Sequence, residues 1–288
     1  MTVLQAAISG ALAGGLYALM AVGLSLTWGM LRVINLTHFG LILVGGYLTF
    51  ELATNVGINP LLTLVVTVPV LFVAGAALQW AFDRFGLTEF NSLLVSFGLL
   101  IATIQVVSNV WSADFQRMSA DVNPYATQSL RLGPLVFPAP TLLAFLAALA
   151  IVGGAHLWLQ RTYPGRALRA FAQDRTIAAA FGIDHVRLGA LLGGAAGASA
   201  AVAGMLVAVD RPLTPSTPFE WFGIVFAVVI LGGIGNTVGT LAAGLLVGAL
   251  SGVVATVWSP ATSPLVIFSL IIVALLVRPR GLFVRRVT

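Results

Sequence analysis

The chain has no cysteine among its 288 residues. Disulfides, thiolate metal sites and cysteine nucleophiles are therefore excluded. It has no lysine either, so all 14 of its basic side chains are arginine. A phosphate loop of the GxxxxGK(S/T) form cannot be built without lysine, and none of that spacing occurs. Charge of either sign is scarce: 8% of residues, against about 25% in soluble domains. The three histidines, His38, His156 and His185, lie far apart in the sequence and do not make a metal site. No Ser-His-Asp order and no close carboxylate pair suggests a hydrolase. No catalytic residue and no metal is assigned, and the chain does not read as an enzyme.

What is abundant is hydrocarbon: 59% of the residues are hydrophobic. About 20 apolar residues cross a bilayer as a helix. Such spans are expected at 4–28, 60–82, 91–111, 141–160 and 188–209, with a shorter one at 36–50. From Trp221 to Val277 no residue is charged. That run is too long for two helices, and GGIGN at 232–236 and WSPATSP at 258–264 divide it into three. The fold class is all-α polytopic membrane protein, with about 8–10 transmembrane helices, two of them in broken or short segments, in one domain over 1–288. Residues 112–139 form a long external loop, and 210–220, with three prolines, an exposed turn.

A sequence pI near 10.7 could point to nucleic acid, but the arginines sit between apolar spans. The positive-inside rule explains them without a polyanion. With nine crossings, one side receives Arg32, Arg84, five arginines between 161 and 187, Arg278, Arg280, Arg285 and Arg286. The other side receives Arg117, Arg131 and Arg211. The first side is the cytoplasm, so the C-terminus and 161–187 are expected inside.

Segment 161–187, RTYPGRALRAFAQDRTIAAAFGIDHVR, is the one long polar island. Pro164 is placed to open a helix and Gly182 to close it. Ala167, Ala170, Phe171, Ile177, Ala178 and Phe181 recur at helical spacing and are expected on one face. Arg166, Arg169, Gln173 and Asp174 fall on another. The island can be an amphipathic helix docking a soluble partner, or an interfacial helix held to lipid by its arginines. Its small, alanine-rich apolar face fits a protein groove better than a membrane.

Two short segments, 36–50 and 221–235, are interrupted by glycine at comparable places in the two halves. Such pairs point to broken helices along a transport pathway. Asn35, Thr37 and His38 supply polar side chains beside Gly40; Gly232, Gly233, Gly235 and Asn236 supply backbone. The plainer alternative is a pair of polar turns with glycines for packing. His38 suits a hydrogen-bonded structural residue better than a proton relay, since no embedded carboxylate accompanies it. An ion- or proton-coupled secondary transporter is the alternative class, and it would want such carboxylates.

Four stretches resemble one family, in family order. They are GLYALMAVGLSLTWGMLRVINLTHFGLILVGGYL at 15–48, GRALRAFAQDRTIAAAFGID at 165–184, AVVILGGIGNTVGTLAAGLLVG at 227–248 and RPRGLF at 278–283. Together they are similar to the branched-chain amino acid ABC transporter permease family, of the LivH/LivM type. Phe39 stands between His38 and Gly40, a one-residue departure from the family turn. The resemblance implies a permease of the bacterial inner membrane, importing branched-chain amino acids or similar small polar solutes. It implies two ATP-binding subunits carrying ATP and magnesium, a second related permease (the same chain or a different one) and a periplasmic substrate-binding protein. Membrane lipid surrounds it, and this chain itself holds no cofactor. By motif position, Gly165, Arg166, Arg169, Ala170, Asp174 and Gly182 fall in the loop that contacts an ATPase. By the same argument Asn35, His38, Gly40, Gly232, Gly233 and Gly235 border the pathway.

Overall fold

A computed structural model describes residues 3–132, 135–277 and 282–283 of the chain. Among the described residues nine apolar helices cross between two ends: α1 (Val3–Leu26), α2 (Thr37–Thr54), α3 (Leu64–Arg84), α4 (Glu89–Trp111), α5 (Ala139–Arg161), α8 (His185–Asp210), α9 (Thr217–Gly232), α10 (Thr237–Val257) and α11 (Ser263–Val277). Two small helices, α6 (Tyr163–Gln173) and α7 (Arg175–Ala180), form the polar island. Six of the helices, α1, α3, α4, α5, α8 and α10, are long and apolar enough to cross a membrane by themselves. The two segments expected to be short or broken are the short helices α2 and α9. Neither is broken within: Gly45 and Gly46 lie inside a continuous α2, packed against Ala201 and Gly204 of α8.

The stretch 112–139 is more ordered than a plain loop. It holds the hairpin β1 (Ser129–Leu132) and β2 (Leu135–Pro138), with Leu130 opposite Phe137. Gln116 pairs with Leu213 through two backbone hydrogen bonds, 2.9 and 2.8 Å. The expected exposed turn at 210–220 is thereby corrected: Leu213 is buried, and so are Thr217 and Trp221 behind it. Extended backbone needs a partner for its hydrogen bonds, and here each loop supplies the other's.

Contacts sort the polar segments to the two ends. Gln5 at the start of α1 bonds the Val136 carbonyl of the hairpin. At the far end, Arg175 of the island donates to the Leu31 carbonyl. Arg32, Arg84, Arg161, Arg166, Arg169, Arg175 and Arg187 gather at the island end, and Arg117, Arg131 and Arg211 at the hairpin end. Arg278, Arg280, Arg285 and Arg286 lie outside the described residues.

Helices α1–α4 and α8–α11 are two inverted copies of one arrangement. Helix α1 runs from the hairpin end to the island end, and α8 runs back. Helix α1 packs on α10 as α8 packs on α3, and α2 meets α4 as α9 meets α11. Both main seams are closed by glycine. A Cβ on Gly14 would lie 2.2 Å from the Gly244 carbonyl oxygen, and one on Gly197 2.0 Å from that of Leu71. Helices in lipid associate through such close backbone approach, because apolar side chains gain little by leaving lipid.

The connection from α1 to α2 is the unusual one. Helix α1 continues through a π-helical turn, Thr27–Leu31, and Arg32 reverses the chain with φ of +55°. Residues 33–35 form no regular element, Leu36 already has helical backbone (φ −71°, ψ −20°), and α2 begins part-way down: His38 Nε2 lies 3.0 Å from the Met20 carbonyl, about 16 Å along α1 from Leu31. Non-helical backbone at such depth must be satisfied by protein. Ser92 and Ser96 of α4 do this. Ser92 Oγ accepts from the Ile34 N–H (3.2 Å) and Ser96 Oγ from the Leu36 N–H (2.9 Å), while Thr37 Oγ1 donates to the Ser96 carbonyl (3.0 Å).

Two outcomes follow for purified protein. Gly14→Ala should destabilise by about 1–3 kcal/mol through forced separation of α1 and α10, read as a lower Tm in detergent. Gly153→Ala, with open space where its Cβ would stand, should leave Tm unchanged or raise it. Ser96→Ala should cost about 1–3 kcal/mol by stranding the Leu36 N–H, whereas Ser96→Thr should restore most of it.

Candidate functional site

The residues singled out for chemistry fall into two clusters, one at the centre of the bundle and one at its island end. At the centre, His38 is buried where α1, α2 and α8 cross. A Cβ on Gly23 would lie 2.4 Å from His38 Cε1 and 2.9 Å from Ser199 Oγ. Gly23 belongs to the first inverted copy and Ser199 to the second, so the imidazole sits where the copies meet. Its bond to the Met20 carbonyl requires a protonated Nε2. Asn35 is buried just before α2, and its Oδ1 has no hydrogen-bond partner among the described residues. Gly40 faces Thr103 and Leu100 of α4.

The second glycine group does not join the first. Gly232 at the end of α9 packs on Gly239 and Thr240 in the first turn of α10. Gly233 and Gly235 take φ of +87° and +81°, the left-handed region that glycine enters without penalty. This turn leans on α1 from the other side: the Gly235 N–H donates to Ser25 Oγ at 3.1 Å, and Thr240 Oγ1 donates to the same oxygen at 3.2 Å. A Cβ on Gly29 would lie 2.3 Å from Gly235 Cα. The two groups therefore flank the last third of α1, one at His38–Met20 and one at Gly235–Ser25. Leu282 of the C-terminal motif donates its N–H to the Leu231 carbonyl, 2.9 Å, and Asn236 reaches the Phe283 carbonyl, 3.1 Å. The rest of that motif, Arg278 to Gly281, lies outside the described residues.

At the island end the single expected helix is two. Asp174 adopts extended backbone, φ −148° and ψ 109°, and its Oδ1 accepts from the N–H groups of Thr176 (2.8 Å) and Ile177 (2.9 Å). It caps the start of α7, a role aspartate fills well. Thr162 caps α6 in the same way, accepting from Gly165 N–H at 3.2 Å. Pro164 stands in the first turn of α6, and Gly182, φ +75°, follows α7 as the closing residue.

The break turns the two halves of the island, so the expected common face is split. Ala167, Phe171 and Ala178 are buried together with Leu168, while Ala170, Ile177 and Phe181 point outward. Phe181 is 82% exposed. Among the residues expected to contact an ATPase, Arg166, Arg169 and Ala170 are exposed on α6. Gly165 is buried, because a Cβ there would lie 2.3 Å from the Trp158 carbonyl oxygen of α5. Its role is the tight corner between α5 and α6.

Arg175, read only as one charge among several, ties the island to the bundle. It donates to the Leu31 carbonyl, at the end of the π-helical turn. Its guanidinium lies 5.1 Å from the Phe171 ring centroid, and His185 stacks on that ring at 5.6 Å and 4°. A 270 Å³ cleft lined by Asp83, Arg175 and His185 lies beside this cluster. A larger apolar cleft of about 530 Å³ opens between α3, α5 and α8, floored by Gly23 and Ser199 of the central cluster. Helices α5 and α8 are the two that the island joins.

Residues 6–275 match the family model described as branched-chain amino acid transport system / permease component. The chain is 27% identical over 294 residues to the high-affinity branched-chain amino acid transport system permease protein BraD of Pseudomonas aeruginosa, covering 98% of this chain and 96% of that one. It is 27% identical over 301 residues to the permease protein LivH of Escherichia coli strain K12, with the same coverage. A probable LivH of Methanocaldococcus jannaschii is 27% identical over 247 residues, 81% of this chain and 75% of its own. No solved structure matches the chain. The family match spans nearly the whole chain, and this multi-pass membrane protein belongs to the branched-chain amino acid transport system permease component family.

Proposed function

We propose that the chain, as a single permease domain, is the membrane subunit of an ATP-driven importer for branched-chain amino acids or similar small polar solutes. The observation that carries this reading is the island. Two capped helices hang between α5 and α8, with Arg166, Arg169, Ile177 and Phe181 turned away from the bundle. The same element grips the end of α1 through Arg175. It is a handle with an outward grip and an inward tie. The chain has no phosphate loop and no lysine to build one, so hydrolysis belongs to separate subunits. Two ATP-binding subunits with ATP and magnesium, a second permease and a periplasmic substrate-binding protein complete the assembly. The arginine-rich end faces the cytoplasm of the bacterial inner membrane, by the positive-inside rule, which also places the C-terminus inside.

The mechanism follows the connections. Closure of the ATPases on nucleotide presses the exposed faces of α6 and α7. Gly165 holds α6 tight under α5, so the push reaches α5 directly. Arg175 carries it to Leu31, Arg32 and the irregular segment 33–36 that leads into α2. Asn35 and His38 follow that segment, and Gly233 and Gly235 flank the same part of α1. Displacement of the α1 end is therefore felt by both groups at once. Nucleotide can shift this equilibrium only because the ATPases bind the two arrangements differently.

Two variants separate grip from tie. Arg169→Glu should abolish ATP-driven uptake in the reconstituted importer and weaken co-purification of the ATPases, with an unchanged Tm. Normal uptake by that variant would remove the island from the mechanism. Arg175→Gln should leave the ATPases bound but reduce solute moved per ATP hydrolysed by roughly tenfold, the effect of about 1.4 kcal/mol of lost coupling. An unaltered transport-to-hydrolysis ratio would show that α1 is not driven through this bond.

A further inference from the structure

The 270 Å³ cleft at the island end is walled by the α3–α4 turn, the end of the π-helical turn, the island and the start of α8. A water occupies ~30 Å³ of the liquid, so the cleft has room for a molecule of roughly ten non-hydrogen atoms. Opposite charges line it without pairing. Asp83 comes from the end of α3, Arg175 from α7 and His185 from the start of α8. Among the described residues no ion pair joins Asp83 to either. Both charged side chains are held apart by other contacts. Asp83 Oδ1 accepts from Gln79 Nε2 at 3.2 Å, and a Cβ on Gly189 would lie 2.5 Å from Asp83 Oδ2. Arg175 is committed to the Leu31 carbonyl and the Phe171 ring.

Bonding capacity is left over on both sides. Asp83 Oδ2 is buried and has no hydrogen-bond partner among the described residues. A buried carboxylate oxygen left unpaired is costly, and a donor that reaches it recovers that cost. A guanidinium has five N–H groups, so Arg175 keeps donors beyond the one on Leu31. His185, stacked on Phe171, adds a ring N–H. Phe82, Leu87 and Phe171 give the cleft an apolar wall. A lone cation in this space would meet Arg175, and a lone anion would meet Asp83, like against like. A small molecule that carries both charges answers both walls.

We propose that this cleft binds a small zwitterion from the island side, an ammonium carboxylate with an apolar side chain. Its ammonium donates to Asp83, its carboxylate accepts from Arg175 and His185, and its side chain lies against Phe82, Leu87 and Phe171. That is the chemistry of a free apolar amino acid. Such a ligand staples the island to the α3–α4 turn, and so holds Arg175 and the Leu31 end of α1 in the present arrangement. One consequence rests on the reading of the chain as an importer subunit: amino acid accumulating in the cytoplasm slows further uptake.

The absence of cysteine makes the cleft addressable. Leu87→Cys places the chain's one thiol on the cleft wall, and Phe115→Cys, at a position 80% exposed near the hairpin end, is the control. Each is prepared in the purified, assembled importer, in nanodiscs of phosphatidylglycerol and phosphatidylcholine, and the rate of fluorescent-maleimide labelling of this chain is measured. Millimolar leucine should slow labelling at Leu87→Cys severalfold and leave Phe115→Cys unchanged. Isocaproate, which lacks the ammonium, and isoamylamine, which lacks the carboxylate, should need roughly tenfold higher concentrations, the worth of a hydrogen bond to a charged group. Asp83→Asn, added to Leu87→Cys, should abolish protection by leucine with Tm unchanged or raised, since the amide keeps the Gln79 bond and removes an unpaired charge. Protection undiminished by Asp83→Asn, or equal protection by the two analogues, would overturn the assignment. So would no protection by leucine, which leaves water alone in the cleft, or protection by added ethanolamine phospholipid and not by leucine. The analogues need no change at Asp83, so the test survives if that variant does not fold. In proteoliposomes, leucine loaded on the island side should slow ATP-driven uptake, and Asp83→Asn should relieve the slowing; equal slowing would overturn the feedback. No ATP-driven uptake by the unmodified assembly would remove the importer reading, while protection at Leu87→Cys would still establish the site.

Discussion

Hydrocarbon offers no hydrogen bonds, and the chain reversal after α1 is built to that constraint. A non-helical segment at membrane depth exposes N–H and C=O groups that water cannot reach, each worth several kcal/mol if left unpaired. Ser92 and Ser96 answer for Ile34 and Leu36. Only because they do can α2 begin beside the last third of α1, and only then does His38 meet Met20, Gly23 and Ser199. The same constraint forces the mutual pairing of Gln116 and Leu213 at the other end, where the inverted counterpart of that reversal lies. Both departures from helix are thus held by α4 or by the loop that follows it.

The architecture around this reversal is set by backbone contact. Leucine and valine on α1 would be as content in lipid as against α10, so association has to come from close packing. Gly10, Gly14, Gly244 and Gly248 bring those backbones together, and Gly75, Gly193 and Gly197 do the same for α3 and α8. The two seams correspond under exchange of the inverted copies. Both seams join one copy to the other, so the copies are locked together along α1–α10 and α3–α8, and His38, between Gly23 and Ser199, lies where they meet.

Much of this was legible in the residues. Hydropathy sorted the spans, and arginine placed the described basic residues in two groups at opposite ends, because both are properties of whole segments. The shortness of 36–50 and 221–235 was also visible, since glycine and polar side chains interrupt apolar runs there. What could not be read was where each interruption sits in three dimensions. In α2 it precedes the helix, at Asn35, and in α9 it follows it, at Gly233. The island was misread as one helix because Ala, Arg and Gln all favour helix, and that preference masked Asp174. An aspartate just before Thr176 and Ile177 is a capping signal, and with it the splitting of Ala170 and Phe181 from Phe171 could have been foreseen. The pairing of Ser92 and Ser96 with the irregular segment before α2 was beyond local pattern; two serines four apart say only that they share a face.

Arginine in place of lysine throughout has a physical consequence at the island. A guanidinium can lie over an aromatic ring and donate to a backbone carbonyl at the same time, since its planar face and its N–H edge are separate surfaces. Arg175 uses both, with Phe171 beneath it and Leu31 at its edge. A lysine ammonium is a single strongly hydrated point and would have to give up one of these contacts. The tie between handle and bundle is therefore directional as well as charged. It fixes where α7 stands relative to the end of α1. Any force on the exposed Phe181 side reaches the chain reversal through that one oriented group and through the tight corner at Gly165.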